Sequence, residues 1–192
     1  EVKEAGICFL HAPLFHPALK TVGPIRRNMG LRTFFNMLGP IVNPAKPAYQ
    51  LIGVYNLEMA RIYNYAMQSL GKEFTLIHSL DGYDEISLTS DTKIISNKGE
   101  FIMTPYQLGK RKVFPEELYG GNTVEAAAAL FKKIIEGNGS WSQNAVVLAN
   151  AAMALQVTGQ YENYEAAFQA AVKSLESGAA NNCLNQLISL QK

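Results

Sequence analysis

A chain of 192 residues with 48% hydrophobic composition carries enough apolar surface for a sizeable core and falls in the range of one large domain. With only 17% charged residues and a formal net charge of +1, it is neither a disordered polyelectrolyte nor a strongly basic nucleic-acid binder. The charge is uneven: residues 1–50 hold six Lys or Arg against Glu1 and Glu4, a net of +4 that leaves −3 for the rest, so an anionic ligand is drawn to the first part of the chain.

In chain order, Pro13, Pro17, Pro24 and Gly30 break the first forty residues into short helices and loops, and Pro40 and Pro44 close that segment. The nearly unbroken apolar run Tyr49 to Val54 predicts a strand covered on both faces, as in a parallel sheet. A helix follows: Asn56 can cap it, Met59, Ile62, Tyr63, Ala66, Met67 and Leu70 recur at the helical period, and Gly71 stands where a left-handed residue ends it. Phe74 to Ile77 is the second strand, which makes residues 49–78 one β-α-β unit; ligands gather beyond the carboxyl ends of such strands. Lys93 to Met103 predicts a peripheral hairpin turning at Asn97-Lys98-Gly99. After a loop from Pro105 to Gly121, the pattern predicts a helix started by Asn122 with Glu125 and ending at Gly137, then helices over Asn144–Thr158, Tyr164–Ser177 and Asn181–Leu190.

Three groups could carry chemistry. The adjacent carboxylates Asp84 and Glu85 follow the second strand, and Gly82 allows the turn that would let them converge; Mg2+ takes hard oxygen ligands of this kind together with waters and substrate phosphates. Taken alone, such a pair is more often a solvated loop feature. Arg26 or its neighbour Arg27 could hold a carboxylate through a planar, two-pronged guanidinium. His16 and Lys20, four apart, share a helix face if Pro17 lies in the first turn. His78 and Ser79 could support the acidic loop, with a backbone-satisfied strand-end histidine the plainer reading for His78. Lys110-Arg111-Lys112 reads as a solvated face, and Trp141 as packing. Cys8 and Cys183 read as reduced structural thiols, no run approaches the roughly 20 apolar residues of a membrane span, and a cytoplasmic location is the default expectation. Glu1 is not an initiator Met and an ordered pattern begins almost at once, so the chain reads as a piece of a longer protein.

Three segments decide between these readings: Phe15-His16-Pro17-Ala18-Leu19-Lys20, the run from Arg32-Thr33-Phe34-Phe35-Asn36 through Leu38-Gly39-Pro40 to Asn43-Pro44, and His78-Ser79-Leu80-Asp81-Gly82-Tyr83-Asp84-Glu85-Ile86-Ser87. In this order and spacing they resemble the anthranilate phosphoribosyltransferases of tryptophan biosynthesis, over essentially the whole chain but only about the second half of a family member. The resemblance implies an α/β fold, a mainly parallel sheet flanked by helices, with residues 1–44 the remnant of a separate all-α domain and an inter-domain loop, and 45–192 the phosphoribosyltransferase domain. It implies Mg2+ on Asp84 and Glu85, anthranilate held by Arg26, His16, Ala12 and Gly39, phosphoribosyl pyrophosphate as the second substrate, no residue in covalent or acid-base catalysis, and a homodimeric full-length protein. The chain departs from the family pattern at His11, where an aromatic or aliphatic residue is usual after Phe-Leu. The family's Gly-rich diphosphate loop does not occur in these 192 residues, and Gly120-Gly121-Asn122 has no strand before it to take its place. The rival readings are a non-enzymatic nucleic-acid-binding relative on the same scaffold, against which the −3 charge after residue 50 counts, and a nucleoside phosphorylase.

Overall fold

A computed structural model of the protein describes residues 1–15 and 38–191. Two short helices, α1 (Val2–Ala5) and α2 (Ala12–Phe15), precede β1 (Tyr49–Gly53), α3 (Leu57–Ser69), β2 (Glu73–Ser79), β3 (Thr92–Ser96) and β4 (Gly99–Met103). The helical half follows as α4 (Pro105–Gly109), a 3-10 turn over Pro115–Leu118, α5 (Val124–Ile135), α6 (Trp141–Val157), α7 (Tyr164–Glu176) and α8 (Ala179–Ser189).

Among the described residues the four strands form one sheet in the order β1-β2-β3-β4. β1 runs parallel to β2, with Tyr49 opposite Glu73 and Gly53 opposite Ile77, whereas β2–β3 and β3–β4 are antiparallel. The sheet is therefore mixed, not mainly parallel. The hairpin expected to be peripheral is fused to β2, because β3 faces two cores at once: Ile95 joins the layer beneath α3, and Ile94 the layer beneath α6. Continuous burial also belongs to β2 rather than to β1. Phe74 through Ser79 are all buried, while β1 leaves Tyr49 and Gly53 exposed.

Strand alternation splits β2 between the two layers. Phe74 and Leu76 meet Ile52, Met59, Tyr63 and Met67 on the α3 side; Ile77 meets Ile86, Leu88, Leu108, Ala145, Ala149 and Met153 on the α6 side. Each fully buried side chain such as Phe74 or Leu76 contributes roughly 1.5–3 kcal/mol, so β2 is the most firmly held strand of the sheet.

The caps explain most helix boundaries. Asn56 accepts from Met59 N–H at 2.8 Å, as its position predicts. α5 starts from Thr123, not Asn122, since the Thr123 hydroxyl accepts from Ala126 N–H at 3.1 Å. α6 begins three residues earlier than its apolar period suggests, through a reciprocal cap in which Ser140 and Gln143 bond each other's backbone N–H. The same device, Thr104 with Gln107, builds α4 inside the stretch read as loop. No helix of the described residues is long and apolar enough to cross a membrane.

Candidate metal site

β2 delivers the chain at its carboxyl end to a tight turn. Gly82 adopts φ +104, a conformation side-chain-bearing residues rarely take, and its N–H bonds the Ser79 carbonyl at 2.9 Å. The Ser79 N–H in turn bonds the Tyr83 carbonyl at 3.0 Å. Asp81 accepts the Thr89 hydroxyl, and Ser87 and Thr89 hydroxyls meet at 2.7 Å, so this first carboxylate of the loop serves the turn itself. Asp84 and Glu85 follow it, both exposed.

The backbone carrying them is closely confined. A Cβ on Gly53, the last residue of β1, would lie 1.6 Å from the Asp84 carbonyl oxygen, so only glycine lets the loop sit against the end of β1. The Ser79 hydroxyl donates to the Glu85 carbonyl at 2.6 Å and accepts from Ser87 N–H at 3.2 Å. On the other side, Asn150 of α6 accepts from Ile86 N–H at 3.0 Å and donates to the Ile86 carbonyl at 2.9 Å.

Although Glu85 as a residue is exposed, its carboxyl group is partly shielded from water; that desolvation, reinforced by the Asp84 charge beside it, raises its pKa above the ordinary carboxylate value. Among the described residues neither carboxylate joins an ion pair, the three present being Lys93–Glu100, Lys110–Glu165 and Arg111–Glu117. No group of three or more His, Cys, Asp or Glu of the described residues could cage a metal alone. Two uncompensated, mutually repelling oxygen donors on a fixed backbone suit Mg2+, which keeps waters and shares its remaining sites with substrate phosphates.

Gly39 is exposed in a turn whose Ile41 N–H bonds the Leu38 carbonyl at 2.9 Å, and Gln50 ties that turn to β1 by donating to the Pro40 carbonyl at 2.8 Å. An open cleft of about 520 Å³ runs between Gly39, Pro40, Asn43 and the whole of β1, and Gly53 joins it to the acidic loop. His16 and Arg26, and the side chain of Ala12, lie outside the described residues. A second cavity, of about 490 Å³, sits at the opposite end of β2 between Glu73, Lys98 and Thr158, away from this site.

His78 takes the plainer of its two roles: buried, its Nδ1 meets the Val54 carbonyl at 2.8 Å. The basic triplet is exposed, as a solvated face is, but two of its three cations are engaged. Lys110 pairs with Glu165, and Arg111 bonds Glu117 at 3.0 Å and Ser142 at 2.9 Å while stacking 4.0 Å over Trp141. Sequence reasoning missed Gly53 and Asn150. The signals were a glycine ending an apolar strand and an Asn inside an alanine-rich helix, where its propensity is poor and a tertiary partner is needed.

The model of the glycosyl transferase family, a/b domain, matches residues 1–181. The chain belongs to this glycosyl transferase family. A relative, the anthranilate phosphoribosyltransferase of Flavobacterium johnsoniae, is 51% identical over 186 residues, covering 97% of the chain and 56% of that protein. Among solved glycosyl transferases, the anthranilate phosphoribosyltransferase of Thermus thermophilus superposes with a TM-score of 0.85 at 31% identity, over 96% of the chain and 56% of its own. That of Saccharomyces cerevisiae, in complex with phosphoribosyl pyrophosphate and Mg, gives 0.83 at 26% identity over 94% and 52%, and has also been solved with 4-fluoroanthranilate. The chain thus spans just over half the length of the curated relatives it matches.

Proposed function

We propose that this chain is the magnesium-holding part of an anthranilate phosphoribosyltransferase of tryptophan biosynthesis. The observation that carries the reading is the Asp84–Glu85 pair, exposed, unpaired and fixed at the carboxyl end of β2. In the reaction a C–N bond forms between the anthranilate amine and the anomeric carbon of phosphoribosyl pyrophosphate, the C–O bond to the diphosphate breaks, and the amine loses its proton. The aromatic amine is already a nucleophile, so the protein's work is to hold it in line and to stabilise the leaving diphosphate. Mg2+ bound here supplies charge neutralisation on the departing pyrophosphate. Asp84 and Glu85 supply its protein oxygens; Arg26 grips the anthranilate carboxylate bidentately, with His16, Ala12 and Gly39 around the ring. Residues 1–44 belong to an all-α domain and its connection, 45–192 to the phosphoribosyltransferase domain, and the full-length protein is a homodimer. The names borne by the relatives and the yeast complexes support this reading.

The test uses the full-length protein. Asp84→Asn with Glu85→Gln should abolish the Mg2+ dependence of phosphoribosyl pyrophosphate use while circular dichroism stays unchanged. Arg26→Ala should raise the KM for anthranilate roughly ten- to a hundredfold, the loss of a charge-assisted contact of about 1.5–3 kcal/mol, and Arg27→Ala should not. A double carboxylate variant that unfolds, with a wild type indifferent to Mg2+, would make the pair structural.

A further inference from the structure

Two peptide groups follow Glu85, and each is held at both ends by the same two side chains. In the first, the Glu85 carbonyl takes the Ser79 hydroxyl at 2.6 Å and the Ile86 N–H goes to Asn150 Oδ1 at 3.0 Å. In the second, the Ile86 carbonyl takes Asn150 Nδ2 at 2.9 Å and the Ser87 N–H goes to Ser79 Oγ at 3.2 Å. Asn150 spends its second Nδ2 hydrogen on the Val146 carbonyl of its own helix, 2.9 Å away, which fixes its rotamer. Ser79 ends the buried strand β2, and its hydroxyl is itself within 3.4 Å of the Thr92 hydroxyl of β3. The acidic loop is therefore gripped between an inner strand of the sheet and α6.

We infer that Asn150 and Ser79 are positioning residues for the acidic pair: by clamping the peptides on the carboxyl side of Glu85 they hold both carboxylates toward one cation. This rests on the metal reading above. With two soft dihedrals per residue, a loop whose peptides are fixed on one side of Glu85 and whose Asp84 backbone abuts Gly53 on the other has little freedom to splay its carboxylates. Ligand groups held in place lose less entropy on binding a cation than groups that must be ordered by it.

The fold contains its own control. At the far end of β2, Asn97 makes an equivalent clamp, accepting from Phe74 N–H and donating to the Lys72 carbonyl, both at 2.9 Å, with no part in the acidic loop. In the full-length protein, Mn2+ alone is titrated and free Mn2+ read by electron paramagnetic resonance, with melting temperatures recorded in parallel. Asn150→Ala, Asn150→Leu (which fills the same volume) and Ser79→Ala should each raise the Mn2+ Kd about tenfold. Asn97→Ala should lower the melting temperature comparably and leave the Kd unchanged. Should both Asn150 variants fail to fold, Ser79→Ala, which frees the opposite ends of the same peptides, carries the test. Mn2+ affinity equal to wild type in the folded Asn150 or Ser79 variants, or an equal loss in Asn97→Ala, overturns the inference while sparing the metal reading. A wild type that binds no Mn2+ overturns both.

Discussion

At the scale of single residues, function here depends on atoms that are absent as much as on those present. Gly53 has an ordinary backbone conformation, so its requirement is steric: a methyl group there would collide with the Asp84 carbonyl oxygen. Gly53→Ala should cost about 1–3 kcal/mol through overpacking and weaken Mn2+ binding by pushing the acidic loop outward, whereas Gly120→Ala, with open space around its Cβ and no positive φ, should be neutral to both. Thermal melts and Mn2+ titration of the two variants check this. Tyr164 poses the complementary case. Burial, and to a lesser degree the neighbouring Glu165 charge, pushes its phenol far above the ordinary tyrosine range, so it stays protonated and donates to the Leu108 and Ala149 carbonyls at 2.9 and 3.2 Å. Tyr164→Phe removes the donor shared by these two carbonyls and should lower stability by about 1 kcal/mol in urea unfolding, equally at pH 6 and pH 8.

Among elements, α6 links the sheet, the acidic loop and the surface turn over Pro115–Leu118. Its amino end carries Ser142, which accepts from Arg111 and donates to Glu117 at 2.6 Å. The Ser142 hydroxyl, then the Phe114 N–H, then the Arg111 charge hold the Glu117 carboxyl below its ordinary pKa. A depressed carboxylate stabilises the fold above its unfolded pKa and loses that contribution as pH falls through the folded value. Glu117→Gln should therefore melt below wild type at neutral pH, with the gap closing under acid; a gap constant from pH 7 to pH 3 would refute the assignment. The elements also mark what the sequence could and could not disclose. The α3 cap at Asn56, the Gly71 terminus and the strand Phe74 to Ile77 follow from local chemistry and were legible. The acidic pair stood out as a candidate because its neighbours fit the pattern of the resembled family. The mixed sheet was not, because strand direction depends on where β3 docks, and its apolar run reads alike in either orientation. Asn150 was invisible for the same reason: its partner Ile86 stands 64 residues away.

On the scale of the whole molecule, the described residues provide two exposed carboxylates, the proposed metal ligands, and a cleft along β1, while the relatives are nearly twice as long. A diphosphate needs converging backbone amides, usually from a Gly-rich loop, and the described residues contain no such loop after a strand. Metal affinity and turnover should therefore separate. Holding two reactants in line can account for roughly 7–11 kcal/mol of barrier reduction, and a cation site without the phosphate cradle forfeits most of it. The 192-residue chain by itself should bind Mn2+ in a manner abolished by Asp84→Asn with Glu85→Gln, yet form phosphoribosyl-anthranilate no faster than a blank. The full-length protein should do both. Fluorescence detection of the product, run beside a Mn2+ titration of the same preparations, reads the two quantities together. Turnover by the isolated chain comparable to that of the full-length protein would mean that residues 1–192 hold the diphosphate by themselves, and that the division of labour argued from the acidic loop is wrong.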